Sequence, residues 1–292
     1  MELCNPAVVR ELLEKYSLSP KKCFGQNFLI NPGVPRRIAE ESAAFAPADK
    51  PSGVLEIGPG VGALTQYLCR NYDKVVAVEI DRGLIPVLGK TLAEFDNVTV
   101  INEDVMNVDL AALVEQYAEG RPVSVAANLP YYITTPILMR LLESGVRFDS
   151  ITVMVQQEVA ARLCAAAGSK DYGAITAVLG YYGTTRRLFR VGAGCFLPAP
   201  KVDSAVIRID LYKTPKYTPR DEALFFRTVH AAFEMRRKTL PNALSAGLSL
   251  PKEVILSAMA KLGLPETVRG ERLSTEQFVM LSDVLAEQVS AQ

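Results

Sequence analysis

The run Asn128-Leu129-Pro130-Tyr131 carries the most specific chemistry in the chain. Asn128 offers a side-chain amide oxygen, and the carbonyl of Leu129 or Pro130 offers a second acceptor beside it. Two acceptors at one point can grip both hydrogens of an amino group. An exocyclic amine on a nucleobase is a poor nucleophile because its lone pair is delocalised into the ring. Gripping its hydrogens pushes the nitrogen toward tetrahedral geometry and aims the pair at an electrophilic carbon. No general base is then required, because the alkylated nitrogen sheds its proton readily once conjugation weakens. Tyr131 adds a flat face on which an extruded base can stack, at about 1–3 kcal/mol per base. Pro130 fixes the backbone and removes a competing donor. Thr135 followed by Pro136 reads as the N-cap and first residue of an anchoring helix. Asn and Pro are also common turn residues; the place of this run, after a strand and behind a nucleoside pocket, favours the catalytic reading.

That pocket is written in three earlier segments. VLEIGPGVGALT places Gly58, Gly60 and Gly62 between an apolar strand and an apolar helix, where missing Cβ atoms allow a tight turn and close approach of a ligand. VVAVEIDR puts Glu79 at the tip of the next strand, where a carboxylate can accept both hydroxyls of a ribose. NEDV follows the third, and Asp104 can accept from an adenine amine. Carboxylates after three successive strands (Glu56, Glu79, Asp104) suit a nucleoside better than three solvated loop charges. Gly58, Gly60 and Ala63 also satisfy G-x-G-x-x-A, so a nicotinamide or flavin cofactor is a competing expectation.

Positioning these groups requires a parallel sheet. Short β-branched runs at Gly53–Ile57, Lys74–Ile80, Val98–Asn102, Pro122–Ala127 and Ser150–Val155 alternate with helical patterns, as in βαβ units. Thr184–Val191 and Val202–Leu211 are separated only by GAGCFLPAPK, too short for a crossover helix, and should pair antiparallel at the sheet's end. The expected fold is α/β: a seven-stranded Rossmann-like sheet with its last strand antiparallel, plus a small all-α C-terminal domain. The polar, proline-containing KTPKYTPRDE sets the boundary, giving a catalytic domain over 1–212 and a helical domain over 213–292. In the latter, Glu222–Phe233, Thr239–Ala246, Lys252–Leu262 and Thr275–Val289 have helical apolar spacing, with Ser274 and Gln277 as a capping box.

Composition narrows the class. Apolar residues make up 49% and charged residues 22% of 292, which is ordinary for a globular chain. No run approaches the roughly 18 apolar residues of a membrane span, and the N-terminus lacks a signal-peptide pattern, so a cytoplasmic location is expected. Five scattered cysteines with no Cys-x-x-Cys, and a single histidine, His230, argue for free thiols and against a metal site. The formal net charge is zero but unevenly spread. Residues 1–180 carry 16 Lys and Arg against 21 Asp and Glu, and residues 181–292 carry 16 against 11. A basic C-terminal part suits a polyanion, and Arg236, Arg237 and Lys238 form a compact cluster for phosphates.

The motifs FGQNFL (Phe24 to Leu29), LEIGPGVGALT, VEIDR, EDV, NLPYYITTP, VQQEVAARL and FLPAPKVDSAVIRI together resemble the bacterial ribosomal RNA adenine dimethyltransferases, the kasugamycin-sensitivity enzymes, from about Cys23 to Leu281. The resemblance implies S-adenosyl-L-methionine as cofactor, contacted by Gln26, Asn27, Leu29, Gly58, Glu79, Ile80, Asp104 and Asn128. It places the target base against Asn128, Leu129, Pro130, Tyr131 and Phe196, the last closing the base's other face. It implies N6-dimethylation of two adjacent adenines near the 3′ end of 16S rRNA in an immature small ribosomal subunit, by a monomer with no metal and no membrane partner. Macrolide-resistance methyltransferases share the Asn-x-Pro-Tyr loop and act on 23S rRNA; Pro59 and the tail FRTVHAAFEMRRKTLPNAL favour the small-subunit branch. Tyr132 departs from relatives that carry Asn there, which predicts altered pocket shape and retained activity.

Two other readings make different demands. An oxidoreductase needs a hydride-relay acid, yet no Tyr-x-x-x-Lys falls in the α/β part and the sole histidine lies in the helical tail. A non-catalytic pre-ribosome assembly factor would keep the fold without methyl transfer.

Overall fold

A computed structural model describes residues 1–44 and 51–290. Its contacts divide the chain into a sheet unit, residues 1–160 and 186–213, and a helical unit, residues 161–185 and 214–292. The helical unit therefore includes an internal segment, 161–185, in addition to the stretch after residue 213.

The strands are β1 (Phe28–Leu29), β2 (Gly53–Ile57), β3 (Lys74–Glu79), β4 (Val98–Asn102), β5 (Val123–Asn128), β6 (Phe148–Gln156), β7 (Gly183–Val191), β8 (Phe196–Leu197) and β9 (Ser204–Leu211). Seven form one sheet in the order β4-β3-β2-β5-β6-β9-β7. Pairings among β2 to β6 are parallel, and β9 runs antiparallel to β6. This is the expected seven-stranded sheet with its reversed strand near one end. β2 is buried along its whole length and β5 along all but its last residue, because helices cover both faces of a parallel sheet. The chain leaves β2 toward β3 on one side, whereas β5 lies on its other side. Ligands bind at this kind of switch point, outside the carboxyl ends of the strands.

Amphipathic helices supply the cover. Helix Gly33–Ala43 buries Val34, Ile38, Ala39 and Ser42, a stripe of helical period. Ile38 packs in one cluster with Leu68 of helix Thr65–Asn71 and with Val54, Val75 and Ala126 of the sheet. Truncating either side chain to alanine costs about 2–5 kcal/mol. Helix Pro6–Lys15 starts at Asn5, whose side chain accepts from the Ala7 N–H, with Pro6 in its first turn. It contributes Val9 and Leu13 to a second cluster with Phe28, Val61 and Leu84. β1 and β8 form a separate antiparallel pair, Phe28 opposite Leu197 and Leu29 opposite Phe196. So FGQNFL and FLPAP, far apart in sequence, are joined by backbone.

In the helical unit, helices Glu222–Glu234, Leu240–Leu248, Lys252–Lys261 and Thr275–Ser290 follow the expected periodicity, and helix Ala174–Tyr182 is an addition to it. The capping box forms: Ser274 N–H donates to Gln277 Oε1 (3.0 Å), and Gln277 N–H to Ser274 Oγ (3.2 Å). Gly247 packs so closely on Ala231 that an added Cβ would stand 2.5 Å from that residue's Cβ.

Candidate active site

A cavity open to solvent lies at the carboxyl ends of β2, β3 and β5. The space between its wall atoms, counted out to open solvent, is ≈ 760 Å³. Its wall includes Gln26, Asn27, Leu29, Gly58, Glu79, Ile80 and Asn128 through Tyr131.

The glycine turn forms one side. Gly58 and Gly60 have φ of +70° and +61°, a region that favours glycine. A Cβ on Gly58 would meet nothing within 4 Å, so this backbone borders open space. Glu56, two residues earlier on β2, is 1% exposed and its Oε2 has no hydrogen-bond partner. Burial, reinforced by the neighbouring Glu79, pushes its carboxyl up to about 8. The neighbouring Thr65 hydroxyl opposes this rise only in part, and Oε2 is left as a free acceptor on the cavity wall.

Glu79 ends β3 and is 4% exposed. Oε2 accepts from Gly60 N–H (3.1 Å) and Oε1 from Asp81 N–H (2.8 Å). Burial raises its carboxyl above the ordinary value in spite of these bonds. Asn102, at the end of β4, donates to the Glu79 carbonyl (2.7 Å) and fixes the strand tip. Ile80 presents an apolar side chain, 42% exposed, on the wall. Asp104 differs from expectation in lying off the wall. One of its carboxylate oxygens turns back to accept from Met106 N–H (2.9 Å).

On the opposite side, Asn128 closes β5. Its Nδ2 donates to the Asn27 carbonyl (3.1 Å), which leaves Oδ1 as the free end of the amide. Leu129 is buried and its N–H donates to the Met154 carbonyl (3.3 Å). The Pro130 carbonyl accepts from Ile133 N–H (3.3 Å) and Thr134 Oγ1 (3.2 Å), whereas no described hydrogen bond reaches the Leu129 carbonyl. Tyr131 is half-buried and its hydroxyl meets Ser204 Oγ at 2.6 Å, which pins the ring from β9. Burial raises its phenol above the ordinary value. The anchoring helix is Thr134–Leu142, so Pro136 is its third residue and Thr135 is not the cap. Proline still fits there, because the first turn's N–H groups have no intrahelical acceptor.

Phe196 also differs from expectation. It is 2% exposed and absent from the cavity wall. Its ladder position opposite Leu29 sends the ring into the core with Met154, Val191 and Val206.

With this geometry in view, the chain can be set beside known proteins. Residues 18–287 match the family described as Ribosomal RNA adenine dimethylase. The chain belongs to that family. As a member of the ribosomal RNA adenine dimethylases it is an enzyme, an rRNA adenine dimethyltransferase. Proteins called "Ribosomal RNA small subunit methyltransferase A" are 48% identical in Lachnoclostridium phytofermentans (98% of this chain, 99% of the relative) and 45% identical in Alkaliphilus metalliredigens (98% of each). Among solved structures, a dimethyladenosine transferase from Plasmodium falciparum superposes with TM-score 0.72 at 24% identity, covering 87% of this chain and 95% of that one. The 23S rRNA methyltransferase ErmE superposes with TM-score 0.68 at 25% identity, covering 89% and 100%.

Dimethylase membership gives no role to three further residues that hold the site through others: Asp81 in VEIDR, Ser204 in FLPAPKVDSAVIRI, and Asn102 just before EDV. Only the contact geometry reveals their parts. In the helical unit, Arg236, Arg237 and Lys238 form an exposed turn between helices Glu222–Glu234 and Leu240–Leu248. Arg236 donates to the carbonyls of Lys170 (3.1 Å) and Tyr172 (3.2 Å). Among the described residues, none of the three forms an ion pair.

Proposed function

We propose that this enzyme transfers methyl groups from S-adenosyl-L-methionine to the exocyclic N6 of two adjacent adenines near the 3′ end of 16S rRNA. It acts as a cytoplasmic monomer on an immature small ribosomal subunit and so contributes to ribosome biogenesis. The small-subunit assignment is supported by the names of relatives at 42–48% identity over nearly the whole chain. The observation that carries the mechanism is the junction of Asn128 to Tyr131 with the glycine turn and Glu79 on one cavity wall.

The cofactor fits the residues present. The backbone at Gly58 borders empty space, Glu79 has lone pairs left for ribose hydroxyls, and Glu56 presents one carboxyl oxygen, Oε2, with no partner. Ile80 and Leu29 offer apolar contact to a purine, and Gln26 and Asn27 flank it. When bound, the cofactor supplies an electrophilic methyl on a sulfonium.

The chain's own work is to bind and orient the target. Asn128 Oδ1 accepts one hydrogen of the adenine amine. The Leu129 carbonyl accepts the other, since that of Pro130 is already engaged. Pro130 keeps the two acceptors apart from any competing N–H. Tyr131 stacks on the base, and Phe196 supports Leu29 from behind. The basic turn grips phosphates. Mass mapping of methylated nucleotides in small-subunit RNA from cells with and without the gene tests the reading. Loss of two adjacent dimethyladenines is the expected result; an unchanged small-subunit RNA with altered 23S RNA would move the enzyme to the other branch.

A further inference from the structure

The FGQNFL segment is held at two adjacent residues, Gln26 by Asp81 and Asn27 by Asn128. Asp81, two residues beyond Glu79, is 3% exposed. Its Oδ1 accepts from Lys21 Nζ (2.6 Å) and Gly83 N–H (3.0 Å), and its Oδ2 accepts from Gln26 Nε2 (2.9 Å). Gln26 Oε1 in turn accepts from Lys21 N–H (2.8 Å). The side chain of Gln26 is thus committed to holding the segment. The next residue, Asn27, offers its carbonyl to Asn128 Nδ2 (3.1 Å).

We propose that Asp81, with Lys21 and Gln26, is a positioning residue for methyl transfer: it latches the segment across the cavity so that the Asn27 carbonyl fixes the rotation of the Asn128 amide. A primary amide has two ends of similar size, and only one orientation presents the acceptor to the substrate. The carbonyl of Asn27 selects it by taking the donor end. That carbonyl stays in place because the adjacent residue is tied to a buried carboxylate. The arrangement is stable to neutral pH, since Asp81 stays ionised: burial opposes this, but the bonds from Lys21, Gln26 and Gly83 outweigh it and hold the carboxyl below its ordinary range. Asp81 N–H also donates to Glu79 Oε1, so the ribose-reading carboxylate and the catalytic amide are referred to the same residue.

This inference rests on the reading that Asn128 clamps the amine, and the test separates the two. The full chain carrying Asp81→Asn, Lys21→Met or Lys21→Arg is compared with wild type and Asn128→Ala. Single-turnover transfer to small-subunit RNA is measured at saturating S-adenosylmethionine, with calorimetric cofactor affinity, a melting curve, and the NMR signal of the Asn128 side-chain amide, identified by its loss in Asn128→Ala. A misplaced acceptor costs on the order of 10²-fold in rate, so Asp81→Asn and Lys21→Met should transfer about 10- to 100-fold more slowly. Cofactor Kd should change less than about threefold, the amide signal should shift, and Lys21→Arg should recover most of the rate. Lys21 is 41% exposed, so its replacement separates the latch from any folding defect of Asp81→Asn. The latch is overturned if both variants transfer at the wild-type rate, if they are slow while the amide signal is unmoved, or if the whole loss lies in cofactor affinity. Wild-type transfer by Asn128→Ala would instead sink the clamp, whatever Asp81 does.

Discussion

Around Asn128, polar groups are held by named neighbours: the amide by Asn27, the Pro130 carbonyl by Ile133 and Thr134, the Tyr131 hydroxyl by Ser204. At the basic turn of the helical unit, by contrast, Arg237 and Lys238 are exposed, and only Arg236 is tied to backbone carbonyls. The difference suits the tasks proposed for the two regions. Aiming a lone pair would need acceptors fixed to within a fraction of an ångström. Neutralising phosphates would need charge only at approximate distance, where flexible side chains suffice.

The largest effect should come from breaking the fixed region at its centre. Asn128→Ala should lower transfer by about 10²–10³-fold, the range for removing one preorganised polar group at a reacting centre. Cofactor affinity should weaken only modestly. Isotope transfer and calorimetry read the two quantities separately, and equal losses in both would mean Asn128 serves binding alone. Tyr131→Ala should act on the target base, weakening productive RNA binding by about ten- to a hundredfold if a stacking contact of ~1–3 kcal/mol is lost.

Glu56 sharpens the comparison through pH. Its carboxyl titrates near 8 because burial disfavours the charge. A cation bound beside it favours ionisation, so binding releases a proton and cofactor affinity should rise with pH, up to about tenfold per unit, levelling off above 8. Stability runs the other way. A carboxyl whose folded pKa exceeds the unfolded value contributes least when ionised, so the fold loses stability as pH rises from about 4.5 through 8. Glu56→Gln should flatten the binding profile and raise the melting midpoint above pH 8. A profile unchanged by this substitution would detach Glu56 from the cofactor.

At the basic turn the effects should be smaller and salt-dependent. Neutralising Arg237 and Lys238 together should reduce the slope of log affinity against log salt by about 1.4–1.8, with cofactor affinity unchanged. Arg236→Ala should add a drop in the melting midpoint of the helical unit, because it alone holds backbone carbonyls. An unaltered slope in the double variant would place the RNA elsewhere.

Much of the fixed region is legible in the sequence because period and punctuation specify it. Apolar runs of strand length give β2 to β6, the short GAGCFLPAPK loop forces the reversed β9, and Ser274 with Gln277 marks a helix start. Long-range pairings are less legible. Nothing local in FGQNFL or FLPAP announces that Leu29 faces Phe196, and that pairing is what turns the Phe196 ring into the core and away from the cavity. Asp104 shows the same limit at shorter range: the residue type fits an adenine, but one of its oxygens is already used by Met106 N–H. The internal segment 161–185 groups with the helical unit although no break in composition marks it.

Ser204 offers the finest test of how tightly the fixed region must be held. It is fully buried on β9 and bonds the Tyr131 hydroxyl at 2.6 Å, so it sets the tilt of the ring without touching a substrate. Ser204→Ala removes one hydrogen bond, about 1 kcal/mol, and should slow transfer only severalfold. Tyr131→Phe removes the same bond from the other side. If the bond acts by holding the ring, the double variant should be no slower than either single one. Effects that multiply would mean the hydroxyl has a separate partner in the RNA complex, and the ring would then be held by packing against Pro130 and the cavity wall.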